Sequence, residues 1–232
     1  MRSLKLFQAR VLLFCFIFFV GCYDAPYFDL HQPIYLVTDS SFWAGCEEDA
    51  MGYEGCQARR TKWINKGVDQ WFSHFDEATR PYAVVSYSDD ELPSNRVNET
   101  IYLYLDPGFC GVKYNGKRYT ACYSWGHGSS PKIVFDAPLH IAPIVMAHEL
   151  GHVLGRGHED TQEGVYSVMS YEFKSLYVLP VDIDLMCSMH GDCPPYKNIW
   201  CEGSFYDPCR CPSASYQEGV AKLKAGEIST CR

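Results

Sequence analysis

The chain has 232 residues, 47% of them hydrophobic and 21% charged, with a formal net charge of −8. That length can bury one large core or two small ones, and the composition is globular, which excludes a disordered chain. The acidic balance and the absence of any basic run exclude nucleic acid as a partner.

The first ten residues, "MRSLKLFQAR", carry Arg2, Lys5 and Arg10 and no acid, and "VLLFCFIFFV" follows as an unbroken apolar run. The run is too short to span a bilayer and fits the core of a secretory signal peptide over residues 1–21. Its removal takes away three positive charges and leaves the net charge near −11. The end of the signal, "FFVGC", resembles a bacterial lipobox, with Gly21 before Cys22 and Phe19 where leucine is usual. A lipid on Cys22 would anchor the protein to the envelope, whereas cleavage after Cys22 would secrete it. Either way the twelve cysteines, less Cys15 and Cys22, leave ten, an even number that suggests five disulfides in an oxidising compartment.

A short leader (22–33) precedes the first strand candidate, "PIYLVT" (33–38), which alternates as strands do. Cys46 and Cys56 lie close enough in the next loop to staple the start of a helix. That helix is "RRTKWINKGVDQWFSHF" (59–75), with Trp63, Ile64, Val68, Trp71, Phe72 and Phe75 on one face at helical spacing. The aromatic stripe is read as core packing. "PYAVVSYS" (81–88) and "ETIYLYLD" (99–106) read as strands. A glycine-rich loop with Cys110 and Cys122, a second plausible local pair, leads to a further strand, "PKIVFDA" (131–137). This order predicts an α/β or α+β layer, a twisted mixed sheet with a helix packed on it. Asn98-Glu99-Thr100 is a glycosylation sequon, meaningful only in a eukaryotic secretory pathway.

Beyond residue 191 the texture changes to "DCPPYKNIWCEGSFYDPCRCPSASYQEGVAKLKAGEISTCR", rich in cysteine and proline and poor in periodicity. Residues 192–232 therefore read as a disulfide-held extension of a main domain over residues 34–191. With Cys187 it holds six cysteines, whose fifteen connectivities the sequence does not separate.

The chemistry concentrates in "VMAHELGHVLGRGHED" (145–160). A helix over residues 143–154 starts with proline in its tolerated first turn and projects His148 and His152, four apart, from one face. Both imidazoles can hold one Zn²⁺. Glu149, one step round, can reach a water at the metal without being a ligand. Gly155 can break the helix by adopting positive φ, so that His158 returns as a third nitrogen. Three neutral nitrogens leave a fourth position open, the arrangement of a catalytic zinc.

These residues carry a resemblance. "HELGHVLGRGH" (148–158) looks like the extended zinc motif of the metzincins, and "SVMSY" (167–171) looks like their methionine turn, with Met169 as the turn residue. "LPVDIDLMCSMHG" (179–191) resembles the family's C-terminal helix. Glu159 and "SVMSY" are astacin-like, "SVMSY" is also serralysin-like, and the short interval from His158 to Met169 is matrixin-like. Neither calcium-binding nonapeptide repeats nor a cysteine-switch segment is present, so a small stand-alone member fits best.

The resemblance implies a secreted or envelope-anchored, monomeric zinc endopeptidase acting on proteins or peptides. His148, His152 and His158 would hold one zinc ion, Glu149 would be the general base and Tyr171 a hydrogen-bond donor to the oxyanion. It also implies an edge strand that holds the substrate extended, for which residues around "WGHGSSPKIVF" (125–135) would serve. His127 could touch substrate or a second zinc, or lie in a solvated loop; His31, His74, His140 and His190 have no partner at ligand spacing. The competing readings are a catalytically weak zinc-containing binding protein and a cysteine-rich adhesion module.

Overall fold

The computed structural model describes residues 26–113, 116–125, 129–158, 161–162, 165–170, 178–196, 202–204, 207–210 and 221. Cys22, His127, Glu159 and Tyr171 lie outside these residues, as do Cys201, Cys211 and Cys231.

The expected mixed α/β layer is present. Five strands, β1 (Ile34–Thr38), β2 (Ala83–Ser86), β3 (Thr100–Leu105), β4 (Ala121–Ser124) and β5 (Lys132–Phe135), form one sheet in the order β2-β1-β3-β5-β4. β1, β2, β3 and β5 run parallel; β4 is antiparallel to β5 and forms an edge. Two short two-stranded ribbons follow, β6 (Thr161–Gln162) with β7 (Val165–Tyr166) and β8 (Glu202–Ser204) with β9 (Asp207–Arg210).

β1 was expected to alternate, yet all five of its residues are buried. The reason is its position between β2 and β3, where a parallel strand is covered on both faces. β3 keeps the alternation: Ile101, Leu103 and Leu105 enter the core, and Tyr102 and Tyr104 face outward, half-buried.

Among the described residues three α-helices complete the domain: α1 (Gly52–Phe72), α2 (Pro143–Val153) and α3 (Pro180–His190). α1 begins seven residues earlier than the hydrophobic stripe indicated, because the Cys46–Cys56 disulfide fixes its first turns to the preceding loop. Ile64, Val68, Trp71 and Phe72 form its buried face, with Phe75 just beyond the helix; Trp63 is half-buried beneath Arg59. α2 is buried along nearly its whole length, with His148, Glu149 and His152 as its polar side chains, so it runs through the core rather than over it. α1 and α2 cross closely where a side chain on Gly67 would meet Met146 at 2.6 Å and the Pro143 carbonyl at 2.8 Å.

Of the segment expected as a leader (22–33), the described part, residues 26–33, packs into this core. Phe28 and Leu30 are fully buried. Asn98 holds the segment, accepting from the Asp29 N–H (2.7 Å) and donating to the carbonyls of Asp29, Gln32 and Pro33. An amide so engaged, and 3% exposed, has no room for a glycan in the folded domain. His190 holds the same segment from the other side. Its Nδ1 accepts from the Phe28 N–H (3.2 Å) while Nε2–H donates to the Leu154 carbonyl (3.2 Å), just past α2. Burial lowers the pKa of this imidazole, which keeps it neutral and able to accept.

Three disulfides join described cysteines: Cys46–Cys56, Cys110–Cys122 and Cys187–Cys193. The first two are the local pairs expected; the third selects one partner for Cys187 and ties the end of α3 to the extension. Cys193 and Tyr196 pack against the main core. Such a set of bonds is that of a chain folded under oxidising conditions. No helix among the described residues is long and apolar enough to cross a membrane.

Candidate metal centre

α2 places His148 and His152 one turn apart, and Gly155 ends it with φ +84°, a backbone that favours glycine. The chain turns back and brings in His158. The ligand nitrogens of the three histidines all lie within 4.8 Å of one another. Modest ring movement closes this to the separation of about 3.4 Å that a tetrahedral zinc with bonds of about 2.0–2.1 Å requires.

The hydrogen bonds fix the tautomers. A carbonyl only accepts, so His148 Nδ1–H donates to the Val168 carbonyl (2.7 Å) and His152 Nδ1–H donates to the Arg156 carbonyl (2.8 Å). Each ring then presents Nε2 as its ligand atom, the usual outer-partner arrangement of a ligating imidazole. Burial drives the pKa of His148 down to about 3, against the pull of the Val168 carbonyl, and lowers that of His152. Both rings are therefore neutral at physiological pH, as ligation demands. His148 is buried, His152 half-buried and His158 exposed, so the centre opens towards solvent on the His158 side. The donor set fits a metal ion.

Glu149 is buried beside the histidines in a cavity of about 290 Å³. Burial pushes its carboxyl up to about 8, although the Tyr123 N–H donates to it and pulls it down. A dication at the histidines would oppose the burial effect and favour the ionised form. Tyr123 belongs to β4, so the edge strand lies directly over the site. That strand was expected downstream, within residues 125–135. The structure instead puts β5 inside the sheet, with Ile133, Val134 and Phe135 buried, and makes Ala121–Ser124 the edge. The Tyr123 ring lies 6.4 Å from that of His152, nearly parallel, and burial raises its phenol to about 12. The other cavity walls are Lys113 and Tyr119 through Cys122. None of these was singled out from the sequence as part of the site, Cys122 being read only as a disulfide partner of Cys110; a glycine-rich loop ending in a four-residue strand gives too short a pattern.

Met169 is fully buried in a turn closed by the Ser170 N–H donating to the Ser167 carbonyl (3.0 Å). It lies beneath α2 at Gly151, where an added Cβ would stand 2.3 Å from Met169 Sδ and 2.6 Å from the Trp71 ring. Trp71 cannot retreat without breaking its Nε1–H bond to the Ala147 carbonyl (2.8 Å). Gly151→Ala is expected to destabilise the domain by about 1–3 kcal/mol through this overpacking and to weaken metal binding, read by denaturant titration and metal competition.

A buried network joins the turn to α3. Arg156 donates from Nε (2.9 Å) and a terminal nitrogen (2.7 Å) to Asp182 Oδ1. Asp182 Oδ2 accepts from the Ser167 hydroxyl (2.9 Å) and the Leu179 N–H (2.8 Å), and the Ser167 oxygen accepts from the Met169 N–H (2.9 Å). The two carbonyls that orient His148 and His152 thus belong to residues within or adjoining one connected unit.

Fold and site together define an α/β domain with a three-histidine centre able to hold a metal ion. No family model and no curated protein matches the chain.

Proposed function

We propose that the protein is an exported zinc-dependent endopeptidase of the metzincin type. The observation that carries this reading is the pairing of a three-histidine centre with a buried carboxylate, Glu149, in one cavity beneath a sheet edge. A purely structural metal centre has no use for that carboxylate, which argues against the binding-protein alternative. The expected signal peptide and the three disulfides support export; Cys22 would decide between an anchored and a released form.

Zinc held by His148, His152 and His158 would supply Lewis acidity towards a carbonyl and make a water ionisable near neutrality. The chain does the rest. β4 offers edge backbone to an extended peptide, which aligns the scissile bond along the cavity. Glu149 accepts the proton of the attacking water and returns it to the leaving amine. Tyr171, which lies outside the described residues, would donate to the oxyanion as the resemblance implies.

The purified mature protein is expected to hold about one zinc per chain after dialysis and to cleave unfolded proteins or peptides. His152→Ala should lose both metal and cleavage. Elemental analysis that finds no tightly bound transition metal would sink the proposal.

A further inference from the structure

We propose that Lys113 makes the cleft selective for a substrate carboxylate close to the reacting bond, a specificity that rests on the peptidase reading above. Residues 111–120 carry Lys113, Lys117 and Arg118 and no acid, in a chain whose net charge is −8. The segment is held as an arm on β4. The Cys110–Cys122 disulfide closes its base, Val112 pairs with Arg118, and the Gly116 N–H donates to the Lys113 carbonyl (2.8 Å).

The three cations have different environments. Arg118 faces Asp136 at 3.6 Å, and Lys117 is engaged elsewhere. Lys113 is half-buried and forms part of the wall of the cavity that also holds His148, Glu149, His152 and His158. Its ammonium lies 5.3 Å from the Tyr119 ring and has no carboxylate partner among the described residues. Among the described residues that line the cavity Glu149 is the only acid, and it is buried and accepts from the Tyr123 N–H. An unpaired ammonium in a partly dehydrated cleft attracts a carboxylate far better than one in open water. That carboxylate can be an Asp or Glu side chain of an interior residue or the C-terminal carboxylate of a short peptide.

The test measures binding as well as cleavage. Fluorescein-labelled decapeptides, with a single Asp or Asn scanned along the sequence and with free or amidated C-termini, are titrated into the zinc-loaded Glu149→Gln full chain. Asp peptides should bind about tenfold more tightly than Asn peptides at the favoured position, an advantage that shrinks with salt. Lys113→Met on the same background should bring the ratio close to one, and Lys113→Arg should keep it. A ratio that follows amidation rather than the Asp position identifies the terminal carboxylate as the source. A ratio near one with Lys113 present, or one that survives Lys113→Met, overturns the inference. Cleavage by the protein with Glu149 intact reads the peptidase proposal separately. Selective binding without cleavage would overturn only that proposal; cleavage without selectivity would overturn only the role of Lys113. Neither binding nor cleavage would overturn both.

Discussion

Glu149→Gln should lower peptide cleavage by about 10²–10⁴-fold, the usual contribution of a positioned general base, and leave zinc bound. Gln has the size and shape of Glu, and the three nitrogens that form the metal group come from His148, His152 and His158 alone. The substitution removes the group that receives the proton, and with it the acid limb of the pH–rate profile, since the base works only when ionised. The chelated proteins supply a second readout. In the metal-free domain, burial pushes Glu149 from an ordinary value of 4.5 to about 8. A carboxyl raised on folding stabilises the fold below its unfolded pKa, and that contribution is lost as pH rises through the folded value. Between about pH 4.5 and 8, the chelated protein with Glu149 should therefore lose stability that the chelated Glu149→Gln protein retains. Full zinc with near-normal cleavage in Glu149→Gln would mean that the metzincin mechanism does not operate in this protein.

Much of the site was legible because its chemistry is local. His148, Glu149 and His152 sit on one helix, and the glycine that breaks it is within reach of His158, so spacing alone placed three nitrogens near one point. Met169 was legible only by resemblance: its burial under Gly151 depends on the crossing of α1 and α2, which no local pattern encodes. β4 was hidden for another reason. Four residues following a glycine-containing hairpin carry no period long enough to read, and the strand exists because β5 and the Cys110–Cys122 disulfide hold it in register. The start of α1 was placed late because residues 52–58 carry no apolar stripe at helical spacing and are held by the Cys46–Cys56 disulfide instead. His190 and Asn98 had no partner at short spacing because their partners lie 36 to 162 and 65 to 69 residues away. Polar contacts of that range stabilise a fold without leaving a sequence pattern.

The Arg156–Asp182 pair is the most consequential of these long-range contacts, and its disruption should have the largest effect on stability. Both side chains are almost completely buried, and Asp182 accepts from four donors. Arg156→Met removes two of the donors and the one charge partner that the carboxylate has among the described residues, while roughly preserving the aliphatic stem, and leaves a buried carboxylate uncompensated. The expected loss is about 3–5 kcal/mol, measured by denaturant unfolding of the chelated protein. The loss should depend on pH. Burial already raises the Asp182 carboxyl above its ordinary value in spite of Arg156, and without the guanidinium it rises further. The penalty falls on the ionised form, so the variant should approach the parent near pH 4 and fall furthest behind it near pH 8. Metal affinity should drop about 10–100-fold as well, because the carbonyl of Arg156 orients His152 and the linked Ser167–Met169 turn carries the carbonyl that orients His148. Adding Asp182→Asn to Arg156→Met removes the stranded charge and should recover most of the stability near pH 8. If Arg156→Met unfolds within about 1 kcal/mol of the parent at both pH values, the pair is a bystander and the turn is held by packing around Met169 instead.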